Sequence, residues 1–212
     1  MLRPPALQRF IDCLETALVP RVNDRPIERT LVATLFGNLA RPAPFDAAVR
    51  AVDRPPAGML ERALERVGNG DRSLHALAVA FAALEPLIPW LRGRKHLGPD
   101  APIDLHAVIV GPHGLEPRTD AEIGVTLMAE DSTYIDHHHP PDEVYLVLSA
   151  GRWRHAADPW FEPGIGGVVY NRPHIVHNMQ ATGSPLFAFW CLPSASETAI
   201  GTRGPSTATA RA

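Results

Sequence analysis

The chain has few cysteines, no basic run and no long apolar segment, and each shortage excludes a class of protein. Only Cys13 and Cys191 occur among 212 residues, without a CxxC pair, so no disulfide framework is expected and a reducing cytoplasm fits. The formal net charge is -3 and lysine and arginine are not clustered, which argues against nucleic acid or an anionic membrane as the main partner. No stretch approaches the roughly 18 apolar residues of a membrane span, and the N-terminus lacks the apolar core of a signal peptide. We therefore expect a cytoplasmic protein with no nucleic-acid or membrane partner.

Proline is abundant instead, with 22 residues, so that many turns and short segments are expected. The first half nevertheless has helical periodicity, because apolar residues recur at three- and four-residue steps. The segments with this pattern are 6–19, 26–39, 57–68 and 73–88. Ser73 is a plausible N-cap of the last of these helices.

The second half is typical of short strands. Gly98, Pro99 and Asp100 signal a turn, and strand-like runs separated by turns follow it. These runs are 104–110, 122–129, 143–149, 165–170, 174–180 and 186–192. Short strands at near-regular spacing predict a sandwich or barrel. The sequence thus predicts an α+β protein in three parts: a helical region over 1–98 that packs on the barrel, a β-barrel over 99–195 and a mobile polar tail over 196–212.

Histidine is concentrated in the predicted barrel, where six of the ten histidines fall between residues 137 and 177. Residues two apart share a face of a strand, so His137 and His139 are expected to point one way and His138 the other. Glu143 opens the next strand, and His177 comes from a later one. Two or three imidazoles with one carboxylate suit a divalent transition metal such as Zn, Fe, Mn, Co or Ni. We therefore predict a metal site formed by His137, His139, Glu143 and His177.

All three tyrosines lie between residues 134 and 170, and two of them belong to this cluster. A free phenol has a pKa of ~10 and is a poor base at neutral pH, but a nearby cation favours the phenolate. Tyr145 shares a strand face with Glu143, so we predict that it is catalytic. Tyr134 precedes His137 by three residues and is a second candidate. The alternative for both is an aromatic residue that fills the barrel interior.

These residues resemble the two-part signature of the cupins, which are small double-sheet barrels. The first part is His137-x-His139-x3-Glu143, and the second comprises Pro173 and His177. Cupins usually carry glycine seven residues after the glutamate, where this chain has Ala150. They also usually carry Pro-x-Gly before the second-motif histidine, and this stretch has no glycine.

A narrower resemblance covers most of the chain. A helical first half followed by Tyr-x2-His-x-His-x3-Glu-x-Tyr and a late histidine is similar to the cupin-type dimethylsulfoniopropionate lyases of marine bacteria. The resemblance implies a bound divalent metal and β-elimination of a small carboxylate/sulfonium substrate to dimethyl sulfide and acrylate. It implies metal ligands at His139, Glu143 and His177 and at or near His137, and a base at Tyr145 with Tyr134 in the pocket.

Two alternatives stay open at this point. One is another metal-dependent cupin enzyme, such as a sugar isomerase or an iron dioxygenase, and oxygen uptake with turnover would separate the dioxygenase from a lyase. The other is a non-catalytic cupin that binds a small carboxylate. The metal, the choice of base between the two tyrosines and the oligomeric state, for which a homodimer is one possibility, also stay open.

Overall fold

The computed structural model describes residues 3–67, 70–93 and 102–193. The tail predicted over 196–212 lies outside these residues. Within them, no helix is long and apolar enough to cross a membrane.

The four predicted helices are confirmed in the described part of the chain. They are α1 (Pro5–Leu18), α2 (Pro26–Leu39), α3 (Met59–Leu64) and α4 (Arg72–Leu84), with short 3-10 turns at Val19–Val22 and Glu85–Leu87. Proline stands at the start of α1 and α2, where its missing N–H removes no helical hydrogen bond. In α1 the buried residues Leu7, Phe10, Leu14 and Leu18 recur at three- and four-residue steps, which is the pattern that predicted the helix.

The residue that caps α4 is Asp71, and the prediction of Ser73 is wrong. The Asp71 carboxylate accepts hydrogen bonds from the backbone N–H groups of Ser73 and Leu74, at 2.9 and 3.2 Å. The Ser73 hydroxyl also donates to it at 2.6 Å. The carboxylate thus satisfies two N–H groups that have no partner inside the helix, and the N-cap lies two residues earlier than expected.

The strands that follow form two antiparallel sheets. They are β1 (Leu91–Arg92), β2 (Asp104–Val110), β3 (Glu122–Met128), β4 (Glu143–Val147), β5 (Gly151–His155), β6 (Val168–Asn171), β7 (His177–Ala181) and β8 (Leu186–Leu192). A six-stranded sheet has the order β1-β2-β3-β8-β4-β6, and β5 pairs with β7. The sequence patterns did not predict β1 and β5. The predicted runs 165–170 and 174–180 begin three residues before β6 and β7. Strand β5 was missed because its sequence, GRWRH, has few apolar residues.

The six-stranded sheet is buried on both faces. In β4, Val144 and Leu146 belong to a core shared with the helices, whereas Tyr145 and Val147 belong to a second cluster inside the barrel. The same alternation in β8 directs Phe187 towards the helices. The alternate residues of β8 line the barrel interior; they are Leu186, Ala188, Trp190 and Leu192.

Aromatic rings join the helices to this sheet. The Phe10 ring of α1 lies 5.2 Å from that of Phe189, and the Phe81 ring of α4 lies 5.1 Å from Phe187 and 5.2 Å from Phe189. Tilted and edge-on contacts at such distances add to the burial of apolar area. The helical half therefore covers the outer face of the sheet, and the site can only lie on the other face or at its rim.

A buried ion cluster ties the helical half to the β2–β3 connection. Glu116 is fully buried and accepts hydrogen bonds from Arg3 at 2.7 Å and from Arg118 at 2.9 Å. The same arginines donate to backbone carbonyls at the end of α2, Arg3 to Leu39 and Arg118 to Asn38. Burial raises the pKa of Glu116, but the hydrogen bonds and charge of Arg3 outweigh it and the pKa is lowered.

A strained turn precedes β7. The Ile175 N–H donates to the Arg172 carbonyl at 3.1 Å, and His174 has a φ of 60°, as the third residue of a type II turn requires. This backbone conformation favours glycine. The His174 N–H donates to the His139 carbonyl at 2.8 Å, so the turn also holds the segment that carries His139.

Replacing the buried carboxylate should destabilise the fold. Glu116→Gln leaves the buried Arg3 without its counter-charge and Arg118 with only that of Asp120, and we expect the free energy of unfolding to fall by about 3 kcal/mol. Urea denaturation measures this. Glu28→Gln is the control, because it removes the i,i+3 pair with the half-exposed Arg25 and one acidic charge from the first turn of α2, and it should cost at most about 1 kcal/mol. Equal losses in both variants would contradict a stabilising role of the buried cluster.

Relieving the turn should stabilise the fold. His174→Gly removes the Cβ that disfavours a positive φ, and we expect the free energy of unfolding to rise by about 0.5–1 kcal/mol. The exposed His138 has no positive φ, so His138→Gly should lower stability by up to about 1 kcal/mol. A loss of stability in both variants, measured in urea, would show that the turn is not strained.

Candidate functional site

Three side chains that could hold a metal ion converge at one end of the barrel. The ligand atoms of His139, Glu143 and His177 all lie within 4.8 Å of one another. Glu143 opens β4 on its inward face, His177 opens β7, and His139 lies in the segment before β4. The His139 Nε2 atom is 3.1 Å and the His177 Nε2 atom 3.3 Å from Glu143 Oε2. The structure thus brings together three of the four predicted ligands.

His137 lies beside this group without belonging to it. Its backbone exchanges two hydrogen bonds with His177, at 2.9 and 3.2 Å, and the two rings are 4.0 Å apart. The expected strand through His137 and His139 is absent from the described residues, where only isolated bridges at Thr133 and His137 pair this segment with β7. The role of His137 as a metal ligand stays a prediction.

Each of these three histidines is oriented by a backbone carbonyl through its Nδ1 atom. The pairs are His137 with Ile135 at 3.1 Å, His139 with Pro141 at 3.1 Å and His177 with Ile175 at 2.9 Å. A carbonyl only accepts hydrogen bonds, so Nδ1 carries the proton and Nε2 of the neutral ring has a lone pair for a metal.

The His177 ring gives the clearest test of whether a metal fits. Its Nε2 atom is buried and lies 3.3 Å from Glu143 Oε2 without the geometry of a hydrogen bond, and no other described residue provides a partner. Buried polar atoms are nearly always satisfied, and a cation between two imidazoles and a carboxylate would satisfy this one. The donor set, with nitrogen and carboxylate oxygen, suits a divalent transition metal.

Charge at the site favours a cation. Burial raises the pKa of Glu143, but the adjacent His139 and His177 outweigh it and hold the pKa well below its usual range. Burial lowers the pKa of His137 to about 4, helped by the neighbouring His177. Burial also lowers the pKa of His139, but Glu143 outweighs it and the pKa of His139 is raised. The site therefore contains a buried negative charge with basic nitrogens around it.

The two predicted tyrosines lie next to the group. Tyr145 is buried on the inward face of β4, where it pairs with Trp190 of β8. Burial, followed by the charge of Glu143, raises the pKa of Tyr145 well above its ordinary value. Tyr134 packs against the interior cluster, and its ring is 4.9 Å from that of His137. The side chains alone therefore keep Tyr145 a neutral phenol, and only added positive charge would favour its phenolate.

Sequence reasoning missed Asn171, which contacts the group, and His155, which contacts Asn171. The Asn171 amide donates to Glu143 Oε2 at 2.8 Å, and its oxygen is 2.8 Å from His155 Nε2. No sequence motif marks either residue. The only signal is strand pairing, which sets Asn171 directly opposite Glu143.

Solved structures with the same architecture are known. A structure from a study of the DMSP lyases RdDddP and RnDddQII matches with a TM-score of 0.66 and 17% identity, over 95% of this chain and 98% of that one. The DMSP lyase DddQ from Ruegeria pomeroyi DSS-3 matches with a TM-score of 0.66 and 22% identity, over 93% and 95%. This likeness confirms the predicted α+β fold class, in which helices precede a barrel of antiparallel strands.

The sequence itself provides the family assignment. No curated protein matches the chain significantly. The sequence model that does match describes dimethylsulfoniopropionate lyases and spans residues 27–188, well over half of the chain and every predicted site residue. The chain belongs to the dimethylsulfoniopropionate lyase family.

Proposed function

We propose that this lyase cleaves dimethylsulfoniopropionate to dimethyl sulfide and acrylate by β-elimination, using a divalent metal and Tyr145 as the base. The observation that carries the proposal is the convergence of His139, Glu143 and His177, with Tyr145 on the same strand face as Glu143. The family assignment supports the substrate, and the orphan nitrogen of His177 supports the metal.

His139, Glu143 and His177 would hold the metal, which is one of Zn, Fe, Mn, Co or Ni, and His137 is the candidate for a fourth ligand. A bound metal supplies a Lewis acid that stabilises negative charge on the substrate carboxylate as the α-proton leaves. Because Glu143 provides a single negative charge, the loaded site would keep a net positive charge that attracts an anionic substrate.

Tyr145 takes the α-proton in this proposal. Its phenolate oxygen accepts the proton, the electrons of the C–H bond form the double bond of acrylate, and the C–S bond breaks. Dimethyl sulfide leaves with the electrons of the C–S bond as a neutral thioether, so no acid is needed. Burial keeps Tyr145 protonated until positive charge is present. Tyr145 would therefore act as a base only when the metal site is filled.

Aromatic side chains are suited to the sulfonium end of the substrate. Trp190 pairs with Tyr145 across the sheet on the inward face, and Tyr134 borders the same cluster. An aromatic face attracts a desolvated cation by about 2 kcal/mol. We propose that these rings wall the pocket, with Tyr134 as the alternative base.

Two expectations from the sequence stay predictions. A cytoplasmic location is consistent with Cys13 and Cys191, which are both free thiols. A homodimer stays one possibility for the assembly, and sedimentation would measure the oligomeric state.

Removal of the proposed base should abolish turnover without changing the metal content of the protein. Tyr145→Phe deletes one hydroxyl, and we expect dimethyl sulfide release to fall by at least about 100-fold, with unchanged metal content. Headspace gas chromatography of metal-loaded protein given dimethylsulfoniopropionate measures the release.

Tyr170→Phe is the matched control for this variant. The Tyr170 hydroxyl donates to Asp142 at 2.6 Å, and the ring packs against the helix-side core, so its loss should leave release unchanged. Retained activity in Tyr145→Phe would remove Tyr145 from the role of base. No release from metal-loaded wild-type protein would point to a different small carboxylate or sugar substrate.

Removal of a proposed ligand should lower metal content. His177→Ala removes one of three converging donors, and we expect at least a 10-fold loss of metal affinity, measured by elemental analysis after dialysis. The exposed neighbour His138 provides the control, because His138→Ala should keep the wild-type stoichiometry. An unchanged stoichiometry in His177→Ala would mean that the ligand set is misassigned.

A further inference from the structure

Two side chains, His155 and Asn171, are linked by hydrogen bonds to each other and to the Glu143 carboxylate. Asn171 ends β6 directly opposite Glu143 on β4 and is fully buried. Its Nδ2 atom donates to Glu143 Oε2 at 2.8 Å. Its Oδ1 atom lies 2.8 Å from Nε2 of His155, at the end of β5.

The chemistry of the three groups determines where the protons lie. An ionised carboxylate only accepts hydrogen bonds, so the amide nitrogen of Asn171 must face Glu143 and its oxygen must face His155. An amide oxygen also only accepts, so His155 must donate from Nε2. Every hydrogen bond therefore points the same way, from His155 through Asn171 to Glu143.

The His155 side chain is itself held in place. Its backbone pairs with His177 across β5 and β7, and its ring lies 5.5 Å from the Phe161 ring. Phe161 in turn exchanges backbone hydrogen bonds with Trp153, at 2.8 and 2.9 Å. His155 thus connects to two proposed ligands, to His177 by strand pairing and to Glu143 through Asn171.

We infer that Asn171 and His155 are positioning residues that orient the Glu143 carboxylate for metal binding. The inference rests on the proposed metal site and adds the groups that prepare it. Glu143 Oε2 is the atom on which His139, His177 and Asn171 converge. Without Asn171 the carboxylate could rotate within the site, and such supporting hydrogen bonds are worth roughly 10–100-fold in metal affinity.

The test measures Co²⁺ binding by the full chain. Competition with a chromophoric chelator gives the affinity, and the visible absorption of bound Co²⁺ reports the ligand geometry. Asn171→Leu keeps the branched shape of the side chain but removes donor and acceptor, and we expect the affinity for Co²⁺ to fall roughly 10–100-fold with an altered spectrum.

A pair of variants at His155 separates hydrogen bonding from packing. His155→Phe keeps a ring against Phe161 but cannot donate, so it should weaken Co²⁺ binding and alter the spectrum. His155→Gln restores an N–H donor and should recover most of the wild-type affinity. His138→Ala is the control that leaves binding unchanged. Thermal unfolding of the metal-free variants identifies any that fail to fold.

Several outcomes would overturn the inference. Wild-type affinity and spectrum in a folded Asn171→Leu would exclude a positioning role of Asn171. If that variant does not fold, the two His155 variants provide the test. Equal Co²⁺ binding by His155→Phe, His155→Gln and wild type would then exclude a positioning role of the hydrogen bonds from His155 to Glu143. A wild-type protein that takes up no Co²⁺ would overturn the metal site itself and this inference with it. A weakened Asn171→Leu alongside a wild-type protein that releases no dimethyl sulfide would support the positioning role and reject only the substrate.

Discussion

Burial of the six-stranded sheet on both faces is the constraint that places the site. Helices α1 and α4 pack on one face through Phe10 and Phe81, so the other face must line the barrel. Side chains alternate along a strand, and a slip of one residue would exchange the two faces. Packing of Val144 against the helices therefore also directs Glu143 and Tyr145 inward. The helical half thus helps to define the chemistry of a site on the opposite face of the sheet.

Two of the buried glutamates, Glu116 and Glu143, show how the surroundings separate structural from chemical roles. Glu116 faces two arginines, which are permanently charged, so its charge is neutralised inside the protein and its function is to hold segments together. Glu143 faces imidazoles and an amide instead. Imidazoles can give up a proton and present a lone pair, so the same buried charge remains available to a cation.

Much of this architecture could be predicted from periodicity and composition, and the failures have physical reasons. The helices and the apolar strands were predictable because burial imposes a period of 3.6 or 2 on the sequence. Strand β5 was missed because Trp153 is the only large apolar residue among its five, so the period of 2 leaves no mark in its sequence. The cap of α4 was misplaced because Asp71 and Ser73 are both good capping residues, and only the coordinates show which oxygen faces the free N–H groups.

The sequence by itself determined the residue types and spacings of the site, with His139, Glu143 and Tyr145 close along the chain and His177 on a later strand. Only the tertiary structure decided that His137 lies beside the converging group. It also decided that backbone carbonyls contact the Nδ1 atom of each ring and that hydrogen bonds link His155 through Asn171 to Glu143. The reason is distance along the chain. Asn171 and Glu143 are 28 residues apart and meet because β6 pairs with β4, and cross-strand register leaves no local pattern in the sequence.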